Sequence, residues 1–303
     1  MREGLVALLL LLHCHRAAPC GRAALTVAPE KLVSLTGAEL IQGSYPHPLY
    51  NAAPSMALPV LLHTEAPSRR KVLRVMRWGM RAASGQAAPS RMNNIINARS
   101  ETIASKPTFK PNLDKRRCVV PFDGWYEWTK DKVPHFVRHR EGGRLVMLAG
   151  VYDEAGSHPT DKADTANQSF SIVTVEANAN LLFLHHRMPA VLESQEAIDR
   201  WLSVGEVPFH ECRGLLRPYA GSLDSFPVSR RVGNVRNNDP SCIEALKGRS
   251  EDSPPAGGKD GKVSKVRRSN STGKPGRGPL DKYIARAAGK VGVGDAGKEG
   301  SST

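Results

Sequence analysis

No apolar run in this 303-residue chain is long enough to cross a bilayer. A spanning helix takes about 20 residues, and residues 4–12 (GLVALLLLL), behind Arg2, stop well short of that. No CxxC pair occurs. The five cysteines, Cys14, Cys20, Cys118, Cys212 and Cys242, are odd in number and widely spaced. That excludes a disulfide framework and a zinc site of the usual spacing, and it fits a reducing compartment. His13, Cys14 and His15 are adjacent, a poor geometry for chelating one metal. No internal repeat is present. Acidic residues are scarce, with 29 Asp/Glu against 43 Lys/Arg and a net charge of +14. A surplus of that size points to a polyanionic partner, nucleic acid first and an acidic membrane surface second. It is not confined to one end. Residues 249–303 hold 12 Lys/Arg and 6 Asp/Glu (+6), which leaves 31 against 23 (+8) in the other 248 residues.

The short apolar run has the length of a signal-peptide core, and Ala17-Ala18 stands where small residues near a cleavage site would be. Downstream, 59–62 (PVLL) and 71–78 (KVLRVMRW) read as strands, and 82–96 as an irregular loop. The β-branched and aromatic stretch 116–129 (RRCVVPFDGWYEWT), interrupted by Asp-Gly, reads as strand, turn, strand. Residues 134–140, 144–153 and 169–177 are further strands, and polar 154–168 is a surface loop. SQEAIDRWLS (194–203) predicts a helix capped by Ser194, with Ile198, Trp201 and Leu202 on one face. HECRGLLRPY (210–219) predicts a second. Many strands and few helices make an α+β, mainly β domain. From about residue 249, Gly, Ser, Pro, Lys and Arg replace apolar residues, giving a basic tail that buries too little surface to fold. GPLDKYIARAAGK (278–290) is an island of helical character within it. The chain divides into a leader (1–19), a folded domain (20–248) and the tail (249–303).

Four polar residues are tightly framed: Cys20 in CGR, Asn97 in NARSET, Glu127 in DGWYEW and His185 in HHRMP. Each has a structural reading taken singly, as loop-satisfying Asn, edge-strand Glu, surface His or small buried Cys. Together they suggest covalent catalysis with a positioned acid and base. Glu127 stands between Trp125, Tyr126 and Trp128, where desolvation should tighten its hold on a proton. His185 can shuttle protons. Cys20 offers a thiolate, and a cation such as Arg22 lowers a thiol pKa.

In order, CGR, YNAAPS (50–55), MRWG (76–79), NARSET (97–102), RRCVVPFDGWYEW (116–128), LAGVYD (148–153), HHRMPAVL (185–192) and PVSRRVGNVRNND (227–239) resemble the SRAP family, the SOS-response-associated peptidases. The resemblance runs over about 20–245. It implies an SRAP-type domain whose N-terminal Cys traps the ring-opened aldehyde of an abasic site in single-stranded DNA. The α-amine forms a Schiff base and the thiol closes a thiazolidine, a protective DNA–protein crosslink. On these positions Cys20 is the nucleophile, Asn97 holds the α-amine or sugar, Glu127 is the acid/base and His185 assists proton transfer. Arg22, Arg77, Trp78 and Arg99 line the DNA groove. The autopeptidase step removes whatever precedes the Cys. No metal or organic cofactor is implied, nor a membrane. The expected state is a nuclear monomer at chromatin and replication forks, with a replication clamp as a possible partner of the tail.

The chemistry holds independently of the resemblance. An α-amine has a pKa of about 7.7–8, so part of it is neutral at pH 7, whereas a lysine amine, near 10.4, is mostly charged. A 1,2-aminothiol closes a five-membered ring on an aldehyde, which neither group does alone. A basic groove with aromatics suits a single strand.

The sequence departs from the pattern at its start. Nineteen residues precede Cys20, and Pro19 is its immediate neighbour. Three readings stay open: a mis-assigned first exon, a leader removed by self-cleavage or otherwise, or a retained leader and DNA binding without crosslinking. After MRWG the family's usual continuation, a Leu-Val-Pro-like turn and a second Trp, is missing and the chain reads MRAASG, so the DNA-binding loop after Trp78 (residues 80–90) is expected to differ from the family's. Two rival functions stand beside crosslinking: non-covalent binding of single-stranded or modified DNA, and a secreted hydrolase, for which Asn167 and Asn270 would be glycosylation sequons.

Overall fold

The computed structural model describes residues 20–65, 67–81, 94–154 and 168–246. The leader, the tail with its 278–290 island, most of the 82–96 and 154–168 loops, and both sequons lie outside the described residues. The strands in chain order are β1 (Ala23–Leu25), β2 (Ile41–Gln42), β3 (Leu49–Ala52), β4 (Ala57–His63), β5 (Lys71–Trp78), β6 (Met80–Arg81), β7 (Asn94–Ile95) and β8 (Asn97–Arg99). They continue with β9 (Arg117–Phe122), β10 (Gly124–Trp128), β11 (Pro134–His139), β12 (Val146–Asp153), β13 (Ser169–Glu176), β14 (Arg187–Pro189) and β15 (Leu223–Pro227). The helices are α1 (Pro29–Thr36), α2 (Gln195–Leu202) and α3 (Phe209–Cys212).

An eight-stranded sheet runs β14-β13-β12-β9-β4-β5-β2, with β8 added on β13. It closes on itself because β13 also pairs with β5, in parallel, through Ser169↔Arg77 and Phe170↔Trp78. β13 can sit in the middle because every residue from Ser169 to Val175 is buried, with no polar face to turn to water. Trp78, Phe122 and Phe170 fill the interior, with Trp78 stacked on Phe170 at 6.4 Å between centroids.

The second sheet has five strands in the order β15-β11-β10-β1-β3. Asp123 is where the chain passes between sheets: β9 pairs with β12 and β4 in the first, and β10 with β11 and β1 in the second. The stretch 116–129 is therefore strand, turn, strand as expected, but its two strands are not each other's partners. Asp123 Oδ2 holds this corner by accepting from both Thr26 N–H and Thr26 Oγ1–H, each at 2.6 Å. Gly124 is required because a Cβ there would lie 2.3 Å from the Val137 carbonyl oxygen.

Ser194 caps α2 as expected, accepting from Ala197 N–H at 3.1 Å, and Ile198, Trp201 and Leu202 are buried. The second helix is shorter than 210–219. α3 ends at Cys212 and gives way to a 3-10 turn over Arg213–Leu215, because Gly214 and Pro218 do not support a continuing helix. α1, which opens on Pro29 and closes on the left-handed Gly37, was not expected. Among the described residues no helix is long and apolar enough to cross a membrane.

Candidate functional site

Along β10 the side chains alternate. Trp125 belongs to the main core, while Tyr126 and Trp128 belong to a smaller cluster with Phe136, Val228 and Val232 on the other face. Glu127 follows the parity of Trp125 and is only 6% exposed. β1 pairs with β10 through Ala23↔Trp125 and Ala24↔Gly124, which lays the residues before β1 alongside Glu127. The Cys20 backbone N–H donates to Glu127 Oε2 at 3.1 Å. Both residues are buried.

Burial pushes the Glu127 carboxyl up to about 7, against the opposing pull of backbone hydrogen bonds from Cys20 and Trp128. Burial, and then the Glu127 carboxylate, raise the Cys20 thiol well above its ordinary value. The expected lowering by Arg22 does not occur. The Arg22 guanidinium turns away to Asn51 Oδ1 (2.8 Å) and to the carbonyls of Val232 (2.7 Å) and Gly233 (3.0 Å). Cys20 has φ +51, a left-handed backbone rare in non-glycine residues.

Asn97 and His185 are carried by the other sheet. Asn97 opens β8, which pairs in parallel with β13 through Ile172↔Asn97. His185 lies two residues before β14 and is half-buried, with Nδ1 accepting from Arg187 N–H at 2.9 Å. The loop before it reaches the Glu127 strand. Phe183 meets His135 edge-on at 5.6 Å, and His135 is the cross-strand partner of Glu127. Cys20 and Glu127 are thus joined directly, and the loop before His185 reaches the Glu127 strand through the Phe183–His135 contact.

The groove residues divide. Arg99 is exposed on β8, and Arg77 is half-buried on β5. Trp78 has no exposed surface, and its indole N–H donates to the Ile96 carbonyl at 3.2 Å. Its ring is core, so stacking on a base is a role it does not have in this structure.

Several residues that matter here had no signal of their own in the sequence. Asn51, 1% exposed, donates through Nδ2 to the carbonyls of Val232 (3.0 Å), Asn234 (3.1 Å) and Asn237 (2.9 Å). With Arg22, just before β1, Asn51 on β3 binds the late PVSRRVGNVRNND segment to the edge of the second sheet. Glu101 of NARSET takes a two-pronged contact from Arg187 of HHRMP, at 2.6 and 3.0 Å. Leu182 and Phe183 are 58% and 55% exposed beside the site. The motifs meet in pairs through these contacts, CGR with GWYEW, YNAAPS with PVSRRVGNVRNND and NARSET with HHRMP. Two surface cavities are lined by residues that include neither Cys20 nor Glu127. Among the described residues no group of three His, Cys, Asp or Glu could hold a metal.

The family model described as SOS response associated peptidase (SRAP) matches residues 19–235. A Gallus gallus protein named abasic site processing protein HMCES is 36% identical over 232 residues, 67% of this chain and 68% of its own. A Bacillus subtilis protein named abasic site processing protein YoqW is 31% identical over 212 residues, 68% of this chain and 89% of its own. A crystal structure of a Bacteroides thetaiotaomicron protein shares the fold with TM-score 0.63 at 22% identity, covering 75% of this chain and 100% of that one.

Proposed function

The chain belongs to the SOS response associated peptidase family, and from that premise we propose that it processes abasic sites in single-stranded DNA, with Cys20 as nucleophile and Glu127 as its acid–base partner. The observation that carries this reading is the hydrogen bond from Cys20 N to Glu127 Oε2 at 3.1 Å. The relatives named abasic site processing proteins support the substrate. The net charge of +14 suits a polyanion.

With Cys20 at the N-terminus, its nitrogen is an α-amine rather than an amide. The neutral amine adds to the C1 aldehyde of the opened abasic sugar. Glu127, whose carboxyl burial pushes up to about 7 where Cys20 is in peptide linkage, protonates the departing hydroxyl, and water leaves as the imine forms. The thiol then adds to the imine carbon and its proton passes to the nitrogen, closing the thiazolidine. One water is lost overall and no electrons are transferred. An acid poised near the working pH suits both the dehydration and its reversal.

The same geometry suits self-processing. Glu127 touches the nitrogen that would leave from the Pro19–Cys20 bond. Cys20 Sγ attacks the Pro19 carbonyl, its proton passes by way of Glu127 to the departing nitrogen, and water hydrolyses the resulting thioester. The left-handed φ of +51 favours the cut: it costs a non-glycine residue about 1–2 kcal/mol, and an N-terminal residue has no preceding carbonyl to clash with.

The test uses an oligonucleotide with one abasic site and two forms of the protein, the 303-residue chain and one beginning at Cys20. The second should give a band on a denaturing gel that survives without reduction. Cys20→Ser should give one only after borohydride, because the amine forms an imine that no thiol captures. A Cys20-initiated chain that folds and forms no adduct would overturn the reading. Binding without an adduct would leave the non-covalent reading, which the Pro19–Cys20 peptide link favours wherever it is retained.

A further inference from the structure

The Glu101–Arg187 pair belongs to the sheet that carries Asn97 and His185, and no contact joins it to Cys20 or Glu127 among the described residues. Arg187 is 8% exposed, and its guanidinium meets Glu101 Oε1 at 2.6 Å, Glu101 Oε2 at 3.0 Å and the Thr174 carbonyl at 2.6 Å. β8 and β14 flank β13 on opposite edges, with Thr174 facing Arg99 on one side and Pro189 on the other. The pair therefore clamps the two outer strands across the central one. Arg187 is also the first residue of β14. The ladder bond on its β13 side is made by Ala177 N–H to the His186 carbonyl, and the Arg187 N–H turns the other way, to His185 Nδ1 at 2.9 Å.

We propose that Glu101 and Arg187 are positioning residues that fix the tautomer of His185, so that its proton sits on Nε2 and is presented away from β14. A backbone N–H is always a donor, so the atom 2.9 Å from it must be a lone pair. The Arg187 carbonyl also lies 3.3 Å from Nδ1, but it would require the proton on Nδ1, facing the nearer N–H. The N–H contact is the shorter and the less ambiguous of the two, and it decides the tautomer. In a neutral imidazole the hydrogen bond at one nitrogen determines where the proton resides on the other. Glu101 acts by holding the Arg187 side chain. Without the carboxylate a buried guanidinium is left with the Thr174 carbonyl and hydroxyl alone, and the start of β14 is no longer held against β8. The assignment deepens the proposed function and rests on it for the role of His185 in proton transfer.

The test has a readout that needs no DNA. In the full chain labelled with 15N-histidine, the His185 ring nitrogens at about pH 8 should show one predominant form, protonated at Nε2 and bare at Nδ1. Glu101→Ala should move His185 to a mixture of tautomers. In the Cys20-initiated form it should slow adduct formation by about ten-fold or more, with affinity for intact single strands within about two-fold. Glu101→Gln, which keeps the shape and loses the charge, is the variant to use if the alanine protein does not fold. A wild-type His185 protonated at Nδ1, or already mixed, overturns the proposal. So does an unchanged tautomer in a folded Glu101 variant. Failure of crosslinking in every form, with the tautomer as assigned, would sink the proposed function and leave the positioning intact.

Discussion

Cys20 and Glu127, 107 residues apart in sequence, meet through a hydrogen bond of 3.1 Å from backbone nitrogen to carboxylate. The contact exists because β1 is inserted between β10 and β3, bringing the start of the domain against its middle. It places an acid with a pKa near 7 on the atom that any amine chemistry of Cys20 must use.

Glu127→Gln keeps the shape of the side chain and removes its ionisation. Single-turnover adduct formation should fall by about 10²-fold or more, the usual contribution of a general acid–base. Affinity for an intact single strand, read by fluorescence anisotropy, should change by less than about two-fold. Equal losses in both would deny Glu127 its chemical role.

Stability should carry the signature of the same carboxyl. In the chain with Cys20 in peptide linkage, the folded protein holds this proton up to about pH 7, whereas an ordinary glutamate releases it near 4.5. The folded state therefore binds more protons between those values, and stability falls as pH rises through that window and levels off above it. The full effect is on the order of 3 kcal/mol. Urea titrations across the window should show Glu127→Gln losing this slope. Parallel curves for the two proteins would mean that Glu127 is not perturbed.

The Cys20 thiol should be slow to alkylate in the native protein, since burial and the neighbouring carboxylate both disfavour the thiolate. Mass mapping after iodoacetamide should find Cys20, Cys118, Cys212 and Cys242, all buried, labelled mainly after denaturation. Rapid native labelling at Cys20 would contradict its burial.

Asn51→Ala removes a side chain that serves three carbonyls and Arg22. Unfolding free energy should drop by about 2–4 kcal/mol, with protease cleavage appearing first near residues 229–238. A loss below about 0.5 kcal/mol would mean that water replaces the amide at little cost.

Arg99 and Trp78 should separate cleanly. Arg99→Ala should weaken binding to intact single strands and lower the salt slope by about 0.7 for a lost phosphate contact. Trp78→Ala should cost about 3–5 kcal/mol of stability, and the milder Trp78→Phe should leave DNA affinity per folded molecule unchanged. An unchanged salt slope in the first variant would move the strand away from β8.

Much of the secondary structure was legible because its signals are local. β5, β9, β10 and β13 are runs of β-branched and aromatic residues that barely depend on their surroundings, and Ser194 announces α2 by its cap. The helix expected over 210–219 stops at Cys212, because Gly214 and Pro218 do not support its continuation. The family resemblance implies a place for Trp78 in the DNA groove, but parity along β5 turns it inward to Phe170. Arg22 stands beside Cys20 in the chain, yet its guanidinium is drawn to carbonyls some 210 residues away.

The amino-acid sequence by itself determined the strand-rich class, the basic surplus and the residue types that could carry the chemistry, because composition and short-range pattern need no partner. Only the tertiary structure decided which of those residues meet. Cys20 with Glu127, Asn51 with the late Asn-rich segment and Glu101 with Arg187 are contacts between distant parts of the chain. They arise from sheet order and register, which follow from packing the whole core at once and leave no mark at any single position.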